Sequence, residues 1–276
     1  MLKQRTITAL VLAPLGIAAV LFLPAPALAL MAAAVVLIAM WEWTRMAGIA
    51  SRPVRSATVA IVALAFVPLW LARDDALAWW VIAAGAAWWL VASWWLDHFS
   101  FGAAPTRENA AIKVVAGLFA TLPAWLALIK LQADPHRGPA WALFALMLVW
   151  VADIAAYYTG SRYGKKKLCP QISPNKTVAG VYGALAGAGL LAIVGGWLLG
   201  ARGLALGALV VVSLITVAAS IVGDLFESLV KRQASVKDSG ALLPGHGGMF
   251  DRFDSVFAAL PVFALGKALL DLAFAP

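Results

Sequence analysis

The sequence predicts an all-α fold, a polytopic transmembrane helical bundle of about nine spans. Three observations point there. Of the 276 residues, 63% are hydrophobic and only 12% charged, with mean hydropathy +0.91; that charge fraction is about half that of a soluble domain. The apolar runs are continuous, and several reach the roughly 17–25 residues that cross a bilayer core, whereas a transmembrane barrel would alternate. The cations sit in short connections between the runs, as membrane topology signals do.

The elements follow in order. The run 7–23, preceded by Lys3 and Arg5 and followed by Ala27-Leu-Ala29, imitates a cleavable signal peptide. A second run, 26–44, begins at once and leads into Trp41-Glu-Trp-Thr-Arg45, so the pair is expected to be a retained helical hairpin turning at Leu23-Pro-Ala-Pro26. Further spans are expected near 56–72, 76–96, 111–130 and 139–160. The tryptophan pairs in or beside 76–96 suit an interfacial belt at its ends, with Trp88 and Trp89 facing lipid or a neighbouring helix. Spans 178–199 and 203–226 are joined by Gly200-Ala-Arg-Gly203, and 253–274 closes the chain, with Lys267 and Asp271 as a structural i, i+4 pair. No repeat or linker divides the sequence. One integrated membrane domain, 1–276, is expected, with 1–137 mainly scaffold and lipid-facing and 139–276 carrying the chemistry.

Orientation follows from the cations. With the N-terminus in the cytoplasm, sixteen of them fall on cytoplasmic segments, and only Arg73, Lys130, Arg137 and Arg202 on the opposite side. This positive-inside bias predicts a multi-pass plasma membrane protein with the polar loops 161–177 and 229–252 in the cytoplasm. The net charge of +8 is dispersed rather than gathered on a soluble module, which argues against nucleic acid as a partner. The single cysteine, Cys169, excludes an intramolecular disulfide and a multi-cysteine zinc site.

The segment 228–254 is the densest in chemistry. Lys231, Arg232, Lys237 and Arg252 can neutralise phosphate oxygens, and Pro244-Gly-His-Gly-Gly248 allows close backbone approach. His246 can contact phosphate, donate a proton or only satisfy the loop. An ionisable group at a span centre costs from about 3 kcal/mol upward, so each needs a reason. Asp153 lies in the sixth span. Asp224, Glu227 and Ser228 share one helix face where the eighth ends, and Asp251 and Asp254 repeat the i, i+3 spacing where the ninth begins. Converging carboxylates beside a phosphate loop suit magnesium; for Glu227 an ion pair with Lys231 is the equal alternative. Ser173, Lys176 and Thr177 can hold another phosphate, or Ser173 or Thr177 can simply cap a helix. P-loop, nucleophile-elbow and zinc-protease motifs are absent from the sequence.

Ser228-x-x-Lys231-Arg232, Lys237-Asp238-x-Gly240, Leu243-Pro-Gly-His-Gly-Gly248 and Asp251-Arg-x-Asp254 closely resemble the signature of the phosphatidate cytidylyltransferase (CDP-diacylglycerol synthase) family. Trp150-x-x-Asp153, Tyr157 to Gly160, Gly164-Lys165 and Ser173-Pro-x-Lys-Thr177 look like its upstream motif, and Trp41-Glu-Trp43 matches loosely; Val178 and Ala179 depart from it. The resemblance implies transfer of a cytidylyl group from CTP to phosphatidate, giving CDP-diacylglycerol and pyrophosphate, in a bacterial inner membrane. It implies Mg2+ on Asp224, Asp251 and Asp254, with a second cation such as K+ conceivable, and Lys231 and Arg232 as further catalytic residues. Substrate contacts would come from Asp153, Ser173, Lys176, Thr177, Ser228, Lys237, Asp238, His246, Gly247, Gly248 and Arg252. It also implies membrane lipids and a second copy of the chain, as a homodimer, as partners. The alternatives are an ion-coupled transporter using Asp153, Asp224 and Glu227, or a nucleotide-dependent transferase acting on a different lipid.

Overall fold

The computed structural model describes residues 14–240 and 247–274. Residues 14–22 form α1. It is followed by α2 (Ala25–Met46), α3 (Arg52–Leu71), α4 (Ala76–Asp97), α5 (Arg107–Gln132) and α6 (Gly138–Tyr163). A short hairpin, β1 (Lys167–Cys169) and β2 (Ser173–Thr177), precedes α7 (Val178–Leu198), α8 (Gly203–Gln233) and α9 (Phe250–Phe274). The eight helices α2 to α9 are long and apolar enough to cross a membrane. The expectations for Lys3, Arg5 and His246 lie outside the described residues.

Two elements differ from expectation. The polar loop 161–177 contains the antiparallel hairpin, with Lys167 opposite Thr177 and Cys169 opposite Ser173. Ile172 at its tip is fully buried, and that apolar anchor turns a hydrophilic connection into ordered structure. The second is α8, which continues to Gln233 instead of ending near 226. Its 31 residues reach about 46 Å against a hydrocarbon core of about 30 Å. The extra turns persist because Lys231 pairs with Glu227 on the same face, and Lys231 and Arg232 suit the negative end of the helix dipole.

Small residues set the close crossings. A methyl group on Gly187 of α7 would lie 2.9 Å from Cβ of Ala155 on α6. One on Gly223 of α8 would lie 2.6 Å from the carbonyl oxygen of Asp254 on α9 and 2.8 Å from Cβ of Ala258. With no hydrophobic drive between helices in lipid, such backbone approach supplies much of the packing energy. An aromatic cluster fills the centre: Trp43 stacks on Phe250 at 4.6 Å, and Trp88, Trp89 and Trp95 meet Phe226 edge-on. Trp88 and Trp89 thus face neighbouring helices. At one end, Trp43 Nε1 donates to Lys113 O (2.6 Å) and Gln233 Nε2 to Phe99 O (2.8 Å). At the other, Gln132 Nε2 donates to Leu23 O (2.8 Å), and Lys267 pairs with Asp271 at 2.6 Å over the Trp141 ring.

Candidate active site

Three helix ends and the hairpin meet at the first of those ends. On α8, Asp224, Glu227 and Lys231 follow one another at i, i+3 and i+7, so one face carries all three. The N-terminal turns of α9 bring Asp251 and Asp254 opposite that face, and α6 contributes Asp153. These groups line a cavity of ≈ 350 Å³ with Asp238 and Arg252. It thus has six carboxylates and two cations in its wall. A second cavity, ≈ 720 Å³, shares Asp153, Asp224 and Ser255 with the first. Its remaining wall is mostly apolar or small (Ala152, Ala156, Val181, Ala184, Ile221), with Lys176 and Thr177 at the polar end.

Each expected residue has a definite place. Lys176, carried on β2, forms a 2.5 Å ion pair with Asp224 Oδ2. Ser228 Oγ donates to Asp224 Oδ1 at 3.4 Å. Lys231 Nζ bridges Glu227 Oε2 (2.8 Å) and Asp251 Oδ1 (2.6 Å). Of the two alternatives for Glu227, the ion pair with Lys231 is present through Oε2, while Oε1 is buried and makes no hydrogen bond among the described residues. Asp251 Oδ2 accepts from Ser239 N (2.9 Å), Ser239 Oγ (2.9 Å) and Gly248 N (2.8 Å). Asp254 Oδ1 accepts from Ser255 N at 2.6 Å, and its carboxyl faces Glu227. Thr177 Oγ1 caps α7 by accepting from Gly180 N at 3.1 Å while also lining the larger cavity.

Several residues are not brought to either cavity wall. Arg232 turns to the hairpin, donating from Nε to Ile172 O at 3.1 Å, so it tethers β1 and β2 to α8. Ser173, Ser228 and Lys237 are likewise absent from both linings, and Lys237 is exposed. Gly247 and Gly248 serve as backbone. Gly247 adopts φ +80°, and a side chain there would lie 2.7 Å from Asp251 Oδ2; glycine relieves both constraints.

One residue went unsingled in the sequence. Glu42 of α2 is buried, and its Oε2 accepts from Ser239 Oγ (3.0 Å) and Phe250 N (2.9 Å). The signal was present: an ionisable group inside an apolar run needs a reason, and Glu42 meets that criterion as fully as Asp153 does.

For a divalent cation, the donor set fits. Carboxylate oxygens are the hard ligands magnesium takes, their number exceeds that of the cations facing them, and Glu227 Oε1 has no hydrogen-bond partner among the described residues. No three acidic, histidine or cysteine side chains among the described residues already converge as a metal cage. Lys231 stands between Glu227 and Asp251, where its ammonium screens the two carboxylates from each other.

A membrane-embedded bundle with acidic and basic groups converging on paired polar and apolar cavities is the architecture of an enzyme that joins a charged substrate to a lipid. Residues 3–269 match the Cytidylyltransferase family. The chain is similar to the phosphatidate cytidylyltransferase of Pseudomonas aeruginosa, with 43% identity over 96% of both chains. To that of Haemophilus influenzae it is 32% identical over 96% of this chain and 98% of the relative. The chain belongs to the cytidylyltransferase family.

Proposed function

We propose that the chain transfers a cytidylyl group from CTP to phosphatidate, forming CDP-diacylglycerol and pyrophosphate. Its high-coverage relatives carry the name of that activity. The observation that carries the site assignment is the shared wall of Asp153, Asp224 and Ser255 between a carboxylate-rich cavity and a larger apolar one. The acyl-glycerol part of phosphatidate fits the apolar cavity between α6, α7 and α8, with its phosphate towards Lys176. The triphosphate and cytidine fit the polar cavity, where Arg252 and Lys231 provide cations.

A phosphate oxygen of phosphatidate attacks the α-phosphorus of CTP. One phosphorus–oxygen bond forms, the bond to the bridging oxygen between the α- and β-phosphates breaks, and pyrophosphate leaves with that electron pair. Both reactants are anions, so the site must offset their repulsion. Lys176 does so on the lipid side, Lys231 and Arg252 on the nucleotide side, each most effective where water is scarce. Asp224, Asp251 and Asp254, with Glu227 beside them, would hold Mg2+, which would supply charge neutralisation for the phosphoryl oxygens and the leaving group. A second cation is compatible with the surplus of carboxylates. The surrounding low-dielectric walls keep water from competing with the lipid phosphate for the α-phosphorus.

The cation bias supports a cytoplasmic position for this end of the bundle, where CTP is made, and the family resemblance supports a bacterial inner membrane. The family resemblance also implies a homodimer. Ion-coupled transport is not favoured by family membership. The test is purified protein in detergent–lipid micelles given labelled CTP, phosphatidate and Mg2+. CDP-diacylglycerol and pyrophosphate should appear in equal amounts, and ATP or a polyprenyl phosphate should not replace the substrates. Equal turnover of either substitute would refute the assignment.

A further inference from the structure

The glycines of the loop are packed against a carboxylate from the opposite half of the chain. A methyl on Gly240 would run into the Glu42 side chain, approaching its Cγ to 3.0 Å, and one on Gly248 would run into Ser239 Oγ and Glu42 Oε2 and reach Gly240 N at 2.6 Å. Glu42 Oε2 also accepts the backbone N–H of Phe250, the first residue of α9, and so supplies from α2 an acceptor for a helix N-terminus. The Ser239 hydroxyl lies between two carboxylates, 3.0 Å from Glu42 Oε2 and 2.9 Å from Asp251 Oδ2, with one proton to donate. Ser239 N and Gly248 N then complete the shell of Asp251 Oδ2. Glu42, Ser239 and Asp251 therefore form one chain of polar contacts from α2 to the wall of the polar cavity, with the Ser239 hydroxyl shared between the two carboxylates and Ser239 N donating to Asp251. Trp43, stacked on Phe250 and anchored to Lys113 O, holds the neighbouring turn of α2 against the same helix start.

We propose that Glu42 is a positioning residue for the nucleotide. Through Ser239 and the first turn of α9 it sets where Asp251 and Arg252 stand in the polar cavity. The proposal rests on the assignment of that cavity to CTP. It makes α2 part of the machinery, although α2 contributes no residue to either cavity wall. Because the lipid cavity is built mainly from α6, α7, α8 and the hairpin, with Ser255 its one residue from α9, the effect of Glu42 falls mainly on one substrate.

The experiment is a two-substrate kinetic comparison of Glu42→Ala, Glu42→Gln, Ser239→Ala and the Glu42→Ala/Ser239→Ala double variant. Glu42→Ala leaves Phe250 N without its acceptor and Ser239 Oγ with Asp251 Oδ2 alone, so KM for CTP should rise roughly tenfold or more while KM for phosphatidate stays within about twofold. Glu42→Gln keeps an oxygen that can accept from both donors and should return KM for CTP to near the parent value. The double variant should be no worse than the poorer single one, since both substitutions cut the same chain of contacts. An unchanged KM for CTP in Glu42→Ala, equal rises in both KM values, a Gln variant as impaired as the Ala variant, or multiplicative losses in the double variant would each overturn the proposal. Should Glu42→Ala fail to fold, Ser239→Ala and Glu42→Gln carry the test, and a parental KM for CTP in Ser239→Ala overturns it. Asp254→Asn is assayed alongside: full turnover there sinks the assignment of the cavity itself, whereas an inactive Asp254→Asn with an indifferent Glu42 sinks only the role of Glu42.

Discussion

Asp254 is nearly closed off from solvent, with one oxygen bonded to its neighbour's N–H and the carboxyl facing Glu227. On the proposed reading, its cost in the membrane is offset by its role in the cavity. Asp254→Asn preserves shape and removes charge; it should cut kcat by roughly 10²–10³-fold, measured by CDP-lipid formation, with the thermal midpoint in detergent little changed. Lys176 has a different role, since it spans from the hairpin to Asp224 at the boundary of the two cavities. Lys176→Ala should raise KM for phosphatidate about tenfold, the equivalent of about 1.4 kcal/mol, and leave KM for CTP closer to its parent value. Arg232→Ala should act as a loosened tether, with limited proteolysis of the hairpin increasing before catalysis declines.

Among the elements, the crossing of α8 and α9 decides the site's geometry. Gly223 precedes Asp224 and lies against the backbone of Asp254, so the contact that lets the helices approach also brings their carboxylates together. Gly223→Ala should destabilise the bundle by about 1–3 kcal/mol, as overpacking does, and lower kcat by displacing Asp254; thermal unfolding and turnover together check it. The i, i+3 and i, i+4 spacings already put Asp224, Glu227 and Lys231 on one face, and this was legible because helical periodicity is local. The hairpin was not legible: its strands hold three and five residues, and its order comes from Ile172 reaching a core assembled by distant helices. Nor was the outward turn of Arg232, which depends on where that hairpin docks.

For the whole molecule, the proposed reading has Mg2+ offset the excess negative charge of the polar cavity. Chelation with EDTA should abolish turnover and Mg2+ should restore it, while far-UV circular dichroism shows the helices intact throughout. Orientation is testable by thiol labelling in a Cys169→Ala background: a cysteine replacing exposed Ser235 should react only from the cytoplasm, and one replacing Arg202 only from outside. The polytopic helical bundle and the shared face of Asp224, Glu227 and Lys231 followed from the sequence by itself, because hydropathy and helical spacing are properties of neighbouring residues. Only tertiary structure decided that Glu42 braces the glycine loop, that Asp251 is bound on both oxygens and that the polar and apolar cavities share a wall. Those facts arise from contacts between residues up to 208 positions apart. Their partners are set by how helices cross, and no local pattern encodes a crossing.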